Sequence, residues 1–194
     1  MALRAILLAF FGIAFFISGM TGPQGLKIGD KAFDFSLKDI DGKMVSLDSY
    51  QDVQGYIVVF TCNNCPYAKA YQDRLVGLHI EYAKKGFPLI AINTSDSQKE
   101  IKERAREKAY PFAYLFDGTQ EVSKSYGATR TPHVYVLDQE KKVAYIGAID
   151  NNYKDESKAD KTYVKDAVEA LLNNKEVKVT ATKAIGCAIK WKNN

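Results

Sequence analysis

The pattern of apolar and polar residues first predicts a hairpin and then a buried strand. Apolar and polar positions alternate from Phe33 to Leu47 around the dipeptide formed by Asp41 and Gly42. Alternation on both sides of Asp-Gly is a strong short-range signal for a β-hairpin. Residues 56–60 then form an unbroken apolar run of β-branched and aromatic side chains. Such a run is typical of a central strand that is covered on both faces.

A helical pattern follows that strand, and a second strand and helix come after it. Between residues 63 and 85, apolar side chains recur three or four positions apart, which predicts one buried helical face. Those residues are Ala68, Tyr71, Leu75, Leu78 and Tyr82. Residues 87–93 predict another buried strand. Ser97 and Glu100 then form a capping box, which marks the start of a helix. The inner face of that helix is predicted to be Ile101, Ala105 and Ala109.

The second half of the chain predicts a short helix, a hairpin and a final helix. The short helix covers residues 119–126 and ends near Gly127, and strands 134–137 and 143–146 flank a polar turn. The final helix buries Val164, Ala167, Val168, Leu171 and Leu172. Strands that alternate with helices and finish in a hairpin indicate an α/β fold, a three-layer α/β/α sandwich on a mixed central sheet with an N-terminal β-hairpin.

The N-terminus has the pattern of a targeting segment. Arg4 precedes thirteen uncharged, almost entirely apolar residues at 5–17, and small residues follow at Ser18 and Gly19. This apolar stretch is short for a membrane span and typical of a secretory signal. We therefore predict that residues 1–25 are a signal peptide or an N-terminal anchor, with membrane attachment only if the segment stays uncleaved. Export to the periplasm or another extracytoplasmic space would place the remaining chain where disulfides form.

Charge separates the body of the protein from its C-terminal tail. The 194 residues contain 46% hydrophobic and 26% charged residues, in the range of ordinary globular proteins. The net charge of +4 lies entirely in residues 175–194, which hold five lysines and one glutamate. The neutral body and modest total charge argue against a nucleic-acid partner. Residues 26–174 are predicted to form one domain. Apolar positions along residues 175–194 predict that this basic tail docks on it.

Two cysteines three residues apart are the main candidates for chemistry. Cys62 and Cys65 fall where the first buried strand gives way to the long helix, and Pro66 follows directly. A thiol at a helix N-terminus meets unpaired N–H groups that favour the thiolate, which is the nucleophile. A second thiol one turn further on can attack the mixed disulfide that forms. Pro66 suits the first helical turn, and the short polar residues Asn63 and Asn64 between the cysteines predict an exposed turn.

Other interpretations of this cysteine pair remain open. It could be half of a zinc site, with His79, His133 and Cys187 as the available further ligands, but the chain lacks a second matching pair. It could also be a static disulfide, although so small a ring gains little from loop entropy. A redox-active pair fits the placement best, and we predict no metal. His133 is predicted to be a core histidine and His79 a boundary residue.

Three segments together resemble a known family. They are residues 60–67 around the two cysteines, residues 126–132 ending in Thr131 and Pro132, and residues 185–192 around Cys187. The combination resembles a peroxiredoxin-like, redoxin branch of the alkyl hydroperoxide reductase/thiol-specific antioxidant superfamily, over residues 26–192. The resemblance implies a thioredoxin fold in which Pro132 is cis and packs against the dithiol. It also implies that the backbone beside this proline is free to pair with an extended peptide substrate.

Several positions depart from better-known relatives. Thioredoxins usually have tryptophan before the first cysteine, where this chain has Thr61, and they bury an acid that residues 56–60 lack. The threonine and proline that frame the reactive cysteine of true peroxiredoxins are absent, counted from either Cys62 or Cys65. Arg130 lies one residue from the best register of the activating arginine of those enzymes.

These observations predict an exported thiol–disulfide oxidoreductase. Cys62 would attack, Cys65 would resolve, and Thr131 and Pro132 would position a protein thiol or disulfide. The alternative is a thiol peroxidase that reduces hydroperoxides. No cofactor is expected beyond a Cys62–Cys65 disulfide, and the electron donor or acceptor is unidentified. A copper-delivery module is a further alternative that the cysteine spacing disfavours.

Accessory candidates are Thr61, Pro66, Arg130 and Cys187. The third cysteine, Cys187, could be a resolving thiol, a buried packing residue or an intermolecular link. The alternation of apolar residues around it favours packing.

Overall fold

A mixed seven-stranded sheet forms the centre of the protein. A computed structural model describes residues 25–192. The strands are β1 (Leu37–Lys38), β2 (Met44–Val45), β3 (Gly55–Thr61), β4 (Leu89–Asn93), β5 (Ala113–Phe116), β6 (Arg130–Thr131), β7 (His133–Asp138), β8 (Val143–Gly147) and β9 (Cys187–Ala188). The sheet order is β2-β1-β5-β4-β3-β7-β8, while β6 and β9 form a separate two-stranded sheet. The pairs β3–β4 and β4–β5 are parallel, and β3–β7 and β7–β8 are antiparallel.

Helices and connecting segments cover both faces of this sheet. The helices are α1 (Pro66–Ala70), α2 (Gln72–Tyr82), α3 (Gln98–Glu107), α4 (Glu121–Tyr126) and α5 (Tyr163–Leu172). Alternate residues of β3 point into two cores because strand side chains change face at every position. Ile57 and Val59 pack with residues of α2, α3 and α5, and Val58 and Phe60 pack with Tyr126 and the N-terminal segment. The predicted α/β sandwich on a mixed sheet is confirmed.

Most elements predicted from the pattern are present, with four differences. The pattern gave one helix over residues 63–85, whereas the structure has α1 and α2, which meet at Tyr71. Strands β5, β6 and β9 were not predicted. Ala109 lies beyond the end of α3, is exposed and has a φ of 47°, so its assignment to the inner face was wrong. The N-terminal hairpin has strands of only two residues each.

Two predictions for the terminal regions have different outcomes. The predicted signal or anchor segment lies outside the described residues, apart from Gly25. Within residues 25–192, no helix combines the length and the apolar character that a membrane crossing needs. At the other end, β9 pairs with β6, which brings the C-terminal tail to the end of β3 where the cysteine pair lies.

Candidate redox site

The cysteine pair lies at the carboxyl end of the central strand, beside Thr131. Cys62 directly follows β3, and α1 begins at Pro66. The sulfur of Cys62 is 3.1 Å from the hydroxyl oxygen of Thr131. The sulfur of Cys65 is 3.0 Å from the carbonyl oxygen of the same residue, and the peptide bond from Thr131 to Pro132 is cis. Thr131 therefore contacts both thiols, which lie 69 and 66 positions away in the sequence.

The two thiols have different exposures and opposite pKa shifts. Cys62 is half-buried, and burial raises the pKa of its thiol, assisted by nearby negative charge. Cys65 is 3% exposed. Burial also pushes its pKa upward, but hydrogen bonding with Cys187, with the backbone of Ala68 and with Thr131 outweighs this effect, so the pKa of Cys65 is lowered. Cys62 is the sulfur that a partner can reach, and Cys65 is the sulfur that holds a negative charge more easily.

The helix geometry corrects one step of the sequence argument. That argument placed Cys62 at the start of the helix and Cys65 one turn into it. In the structure Cys65 is the N-cap residue of α1, and Cys62 lies before the helix. The stabilisation of a thiolate by a helix start therefore concerns Cys65 directly. Cys62 lies before the helix but forms a hydrogen bond with the backbone of Cys65, which lowers its pKa and is outweighed by burial.

The third cysteine lies directly against this pair. Strand β9 runs antiparallel to β6, with Cys187 opposite Thr131 and Ala188 opposite Arg130. The sulfur of Cys187 is 2.7 Å from the sulfur of Cys65. Burial and the neighbouring Cys65 raise the pKa of Cys187 to about 11. Cys187 is half-buried, and it is the neighbouring Ile189 that is buried in the core. The pattern-based expectation that Cys187 is a buried packing residue was therefore wrong.

Several contacts hold the tail in this position. Arg130 donates from its guanidinium to the carbonyl oxygen of Gly186 at 2.8 Å, so its side chain is directed at the tail. A Cβ on Gly186 would lie 2.1 Å from the carbonyl oxygen of Thr131, so only glycine permits this approach. The side chain of Gln120, which is 1% exposed, donates to the carbonyl oxygen of Lys190 at 3.0 Å and accepts from the backbone N–H of Lys192 at 2.8 Å.

This tail also corrects the expectation for substrate pairing. The family resemblance implied that the backbone beside Pro132 is free to pair with an extended peptide. In the structure the protein's own strand β9 already pairs with β6 at this position. A peptide that used the same edge would have to compete with β9.

A buried carboxylate fixes the loop between the two cysteines. Asp96 accepts from the backbone N–H of Asn63 at 2.6 Å, from the side chain of Asn64 at 3.0 Å and from the side chain of Asn93 at 2.8 Å. Asn63 is 5% exposed and accepts a hydrogen bond from the hydroxyl of Tyr114 at 2.7 Å. Asn63 was expected on an exposed turn, so that expectation was wrong. Asn64 is exposed as predicted.

The remaining candidate residues lie around the site with structural contacts. Thr61 is buried at the end of β3, and its carbonyl oxygen accepts from the backbone N–H of Thr94. His133 is buried in β7, and burial lowers its pKa to about 4. His79 is half-buried against Phe112. Both histidines match their predicted settings.

Across residues 25–192, no group of three or more histidine, cysteine, aspartate or glutamate side chains is arranged to hold a metal ion.

Comparisons with known proteins identify the family of this chain. Residues 28–146 match the model of the AhpC/TSA family. The chain belongs to the AhpC/TSA family. This confirms the family resemblance that the motifs indicated. Cys62, Cys65 and Thr131 lie within the matched residues, and the segment around Cys187 lies outside them.

Individual relatives extend the comparison. A crystal structure of an uncharacterized conserved protein from Geobacillus kaustophilus is 35% identical, covers 87% of this chain and 94% of its own, and superposes with a TM-score of 0.81. A hypothetical protein from Sinorhizobium meliloti is 30% identical over 88% of this chain and 98% of its own, also with a TM-score of 0.81. The thiol-disulfide oxidoreductase ResA of Geobacillus thermodenitrificans is 25% identical over 73% of this chain and 80% of its own.

Proposed function

We propose that this protein is an exported thiol–disulfide oxidoreductase that uses Cys62 and Cys65 to exchange disulfides with protein thiols. Its similarity to ResA and its membership of the AhpC/TSA family support a thiol–disulfide oxidoreductase. The finer parts of the proposal are the roles of the two cysteines, export directed by residues 1–25, and a protein substrate.

The observation that best supports the cysteine roles is that the two thiols, which both contact Thr131, differ in solvent exposure. Cys62 is half-buried and Cys65 is 3% exposed, so an incoming disulfide meets the sulfur of Cys62 first. The Cys62 thiolate attacks a substrate sulfur, forms a mixed disulfide and expels the other substrate sulfur as a thiolate, which takes a proton from water. Cys65 then attacks Cys62, which releases the reduced substrate and leaves a Cys62–Cys65 disulfide. The lowered pKa of Cys65 supplies the thiolate for this second step.

The positions that surround the pair would orient the substrate. The hydroxyl of Thr131 lies 3.1 Å from the sulfur of Cys62, where it can donate a hydrogen bond to the Cys62 thiolate. The same residue contacts Cys65 through its carbonyl oxygen. We assign Thr131 and Pro132 to substrate positioning on this basis.

Turnover of a model substrate tests these roles. Reduction of insulin disulfides by the mature protein with dithiothreitol should be lost in Cys62→Ser. In Cys65→Ser the first step should still occur, so a mixed disulfide between Cys62 and the substrate should accumulate and be visible by mass spectrometry. Unchanged insulin turnover in Cys62→Ser would contradict the proposal.

Hydroperoxide reduction is the alternative function, and its support is the family itself. The guanidinium of Arg130, the candidate activating group, is directed at the carbonyl oxygen of Gly186. We therefore expect slow consumption of hydrogen peroxide by the reduced protein in stopped-flow measurements. A rapid, Cys62-dependent reaction would favour the peroxidase instead.

Export is tested separately. Expression of the full chain in a Gram-negative bacterium should yield protein in the periplasmic fraction, with a new N-terminus or an anchored precursor. Retention of the complete chain in the cytoplasm would contradict the assignment of residues 1–25.

A further inference from the structure

Three cysteine sulfurs surround Thr131, and the proposed function uses only two of them. Cys65 is the central member, because it lies 2.7 Å from Cys187 and is three residues from Cys62. A disulfide bond is about 2.05 Å long, so a displacement of under about 1 Å would bring Cys65 and Cys187 to bonding distance. The sulfur of Cys187 is therefore close enough to the sulfur of Cys65 to react with it.

The tail that presents Cys187 is fixed to the body on both sides of it. Before it, Arg130 holds the carbonyl oxygen of Gly186, and after it, the backbone N–H of Ile189 donates to the carbonyl oxygen of Thr129 at 3.0 Å. The close approach that Gly186 allows brings the β9 backbone against Thr131. These contacts already restrict the tail, so bond formation would cost little further conformational entropy. Cys187 is therefore held at a high effective concentration beside Cys65.

We propose that Cys187 is a third redox thiol, which exchanges with the Cys62–Cys65 disulfide to form a Cys65–Cys187 disulfide. The proposal rests on the proposed function, which supplies the starting disulfide. In the step, the Cys187 sulfur attacks the Cys65 sulfur, the Cys62–Cys65 bond breaks, and Cys62 leaves with the electron pair. The proton of Cys187 ends on Cys62. One disulfide and one thiol are present before and after, so no outside oxidant or reductant takes part.

Proton transfer accompanies this exchange. Burial raises the pKa values of both Cys187 and Cys62, so Cys187 has to lose its proton as it attacks, and the released Cys62 takes up a proton. The product returns a free thiol to the accessible position while the oxidised bond moves to the buried one. It also joins the C-terminal tail covalently to the start of α1, so β9 could not leave β6 in that state.

Peptide mapping distinguishes the two disulfides directly. Trypsin releases both Cys62 and Cys65 on one peptide, residues 44–69, and Cys187 on another, residues 184–190. The mature protein would be oxidised with diamide, freed of the reagent, alkylated with N-ethylmaleimide and digested without reduction. A Cys62–Cys65 bond stays within one peptide and leaves an alkylated tail peptide, whereas a Cys65–Cys187 bond links the two peptides.

The variants make the outcome specific. We expect the linked pair of peptides in the natural protein and, as the main product, in Cys62→Ser. The linked pair should be absent from Cys187→Ser and from Cys65→Ser. Cys65→Ser is the matched control for Cys62→Ser, because each of these variants keeps two thiols. The exchange would be overturned if the natural protein gave only the bond within residues 44–69, if Cys62→Ser kept two alkylated thiols, or if Cys65→Ser linked its peptides as well.

This map is independent of the insulin assay. Loss of the linked peptides with normal insulin turnover would overturn the third-thiol role and leave the proposed function standing. Linked peptides without insulin turnover would support the third-thiol role of Cys187 and contradict the proposed function.

Discussion

Replacement of Asp96 by asparagine should change both the stability of the protein and the acidity of Cys62. The buried carboxylate of Asp96 accepts three hydrogen bonds, from Asn63, Asn64 and Asn93. An asparagine keeps the shape of the side chain but can offer only one carbonyl oxygen. The carbonyl oxygen would stay with Asn63 and Asn93, which share Oδ2, and the new amide group would face the donor of Asn64.

The magnitude follows from these three contacts. Hydrogen bonds to charged groups contribute about 1.5–3 kcal/mol each, and those between neutral groups contribute about 1 kcal/mol. One contact is lost in Asp96→Asn and two become neutral, while the removed charge no longer has to be desolvated. We expect the free energy of unfolding to fall by about 2 kcal/mol, measured by urea denaturation.

The same substitution should lower stability but raise the reactivity of Cys62. Burial is the largest cause of the raised pKa of Cys62, and the charge of Asp96 raises it further. Removing that charge should lower the pKa of Cys62. The rate of alkylation by iodoacetamide at neutral pH should therefore rise, with each unit of pKa equivalent to about a tenfold change in thiolate.

The assay needs one reactive thiol and one matched control. The pH dependence of alkylation would be measured in a Cys65→Ser, Cys187→Ser background, so that only Cys62 reacts. Asp117→Asn is the control, because Asp117 is another buried carboxylate that accepts from Ser123 and is not among the charges that act on Cys62. A titration curve for Cys62 that is the same in Asp96→Asn as in the control would refute the electrostatic reasoning.

Two further predictions concern the stability of the fold. Burial lowers the pKa of His133 to about 4, so the unfolded chain binds a proton more readily than the folded protein. The free energy of unfolding should therefore fall by about 3 kcal/mol between pH 6.5 and pH 4. His133→Phe should remove this dependence in urea denaturation at both pH values, and an equal slope in the variant would contradict it. Asp150→Ala should cost about 3–5 kcal/mol, because it removes the buried countercharge of Arg74 and leaves only the exposed Glu156 at 3.7 Å. Lys165→Ala, which breaks an exposed pair with Glu81, should cost under about 1 kcal/mol. Similar losses in the two ion-pair variants would refute that reasoning.

Local patterns in the sequence were sufficient for the elements that depend on local chemistry. The capping box of Ser97 and Glu100 is present at the start of α3, and Gly127 ends α4 with a φ of 76°. The apolar run of β3 is buried at every position because β3 is an interior strand, between β4 and β7, with a hydrophobic core on each face of the sheet. These signals depend on neighbours within a few residues, which is the range over which sequence patterns act.

The pattern was weakest where a residue's role depends on distant contacts. Asn63 reads as a surface turn residue, and it is buried because Asp96, Tyr114 and Glu100 satisfy its backbone and side chain. Gln120 and Asp96 gave no motif at all. A buried polar side chain is stable only when such partners surround it. The partners of Gln120 lie 26 to 72 positions away, and two of the three residues that donate to Asp96 lie 32 and 33 positions away.

The sequence alone determined that this protein has a dithiol after a central strand of an α/β sandwich, with Thr131 and Pro132 in the motif that accompanies it. The tertiary structure decided which cysteine caps the helix, which thiol is accessible and what the third cysteine contacts. The physical reason is that acidity and reactivity depend on burial and on hydrogen bonds formed across the fold. Cys187 is 122 positions from Cys65, and only the pairing of β9 with β6 brings the two sulfurs together.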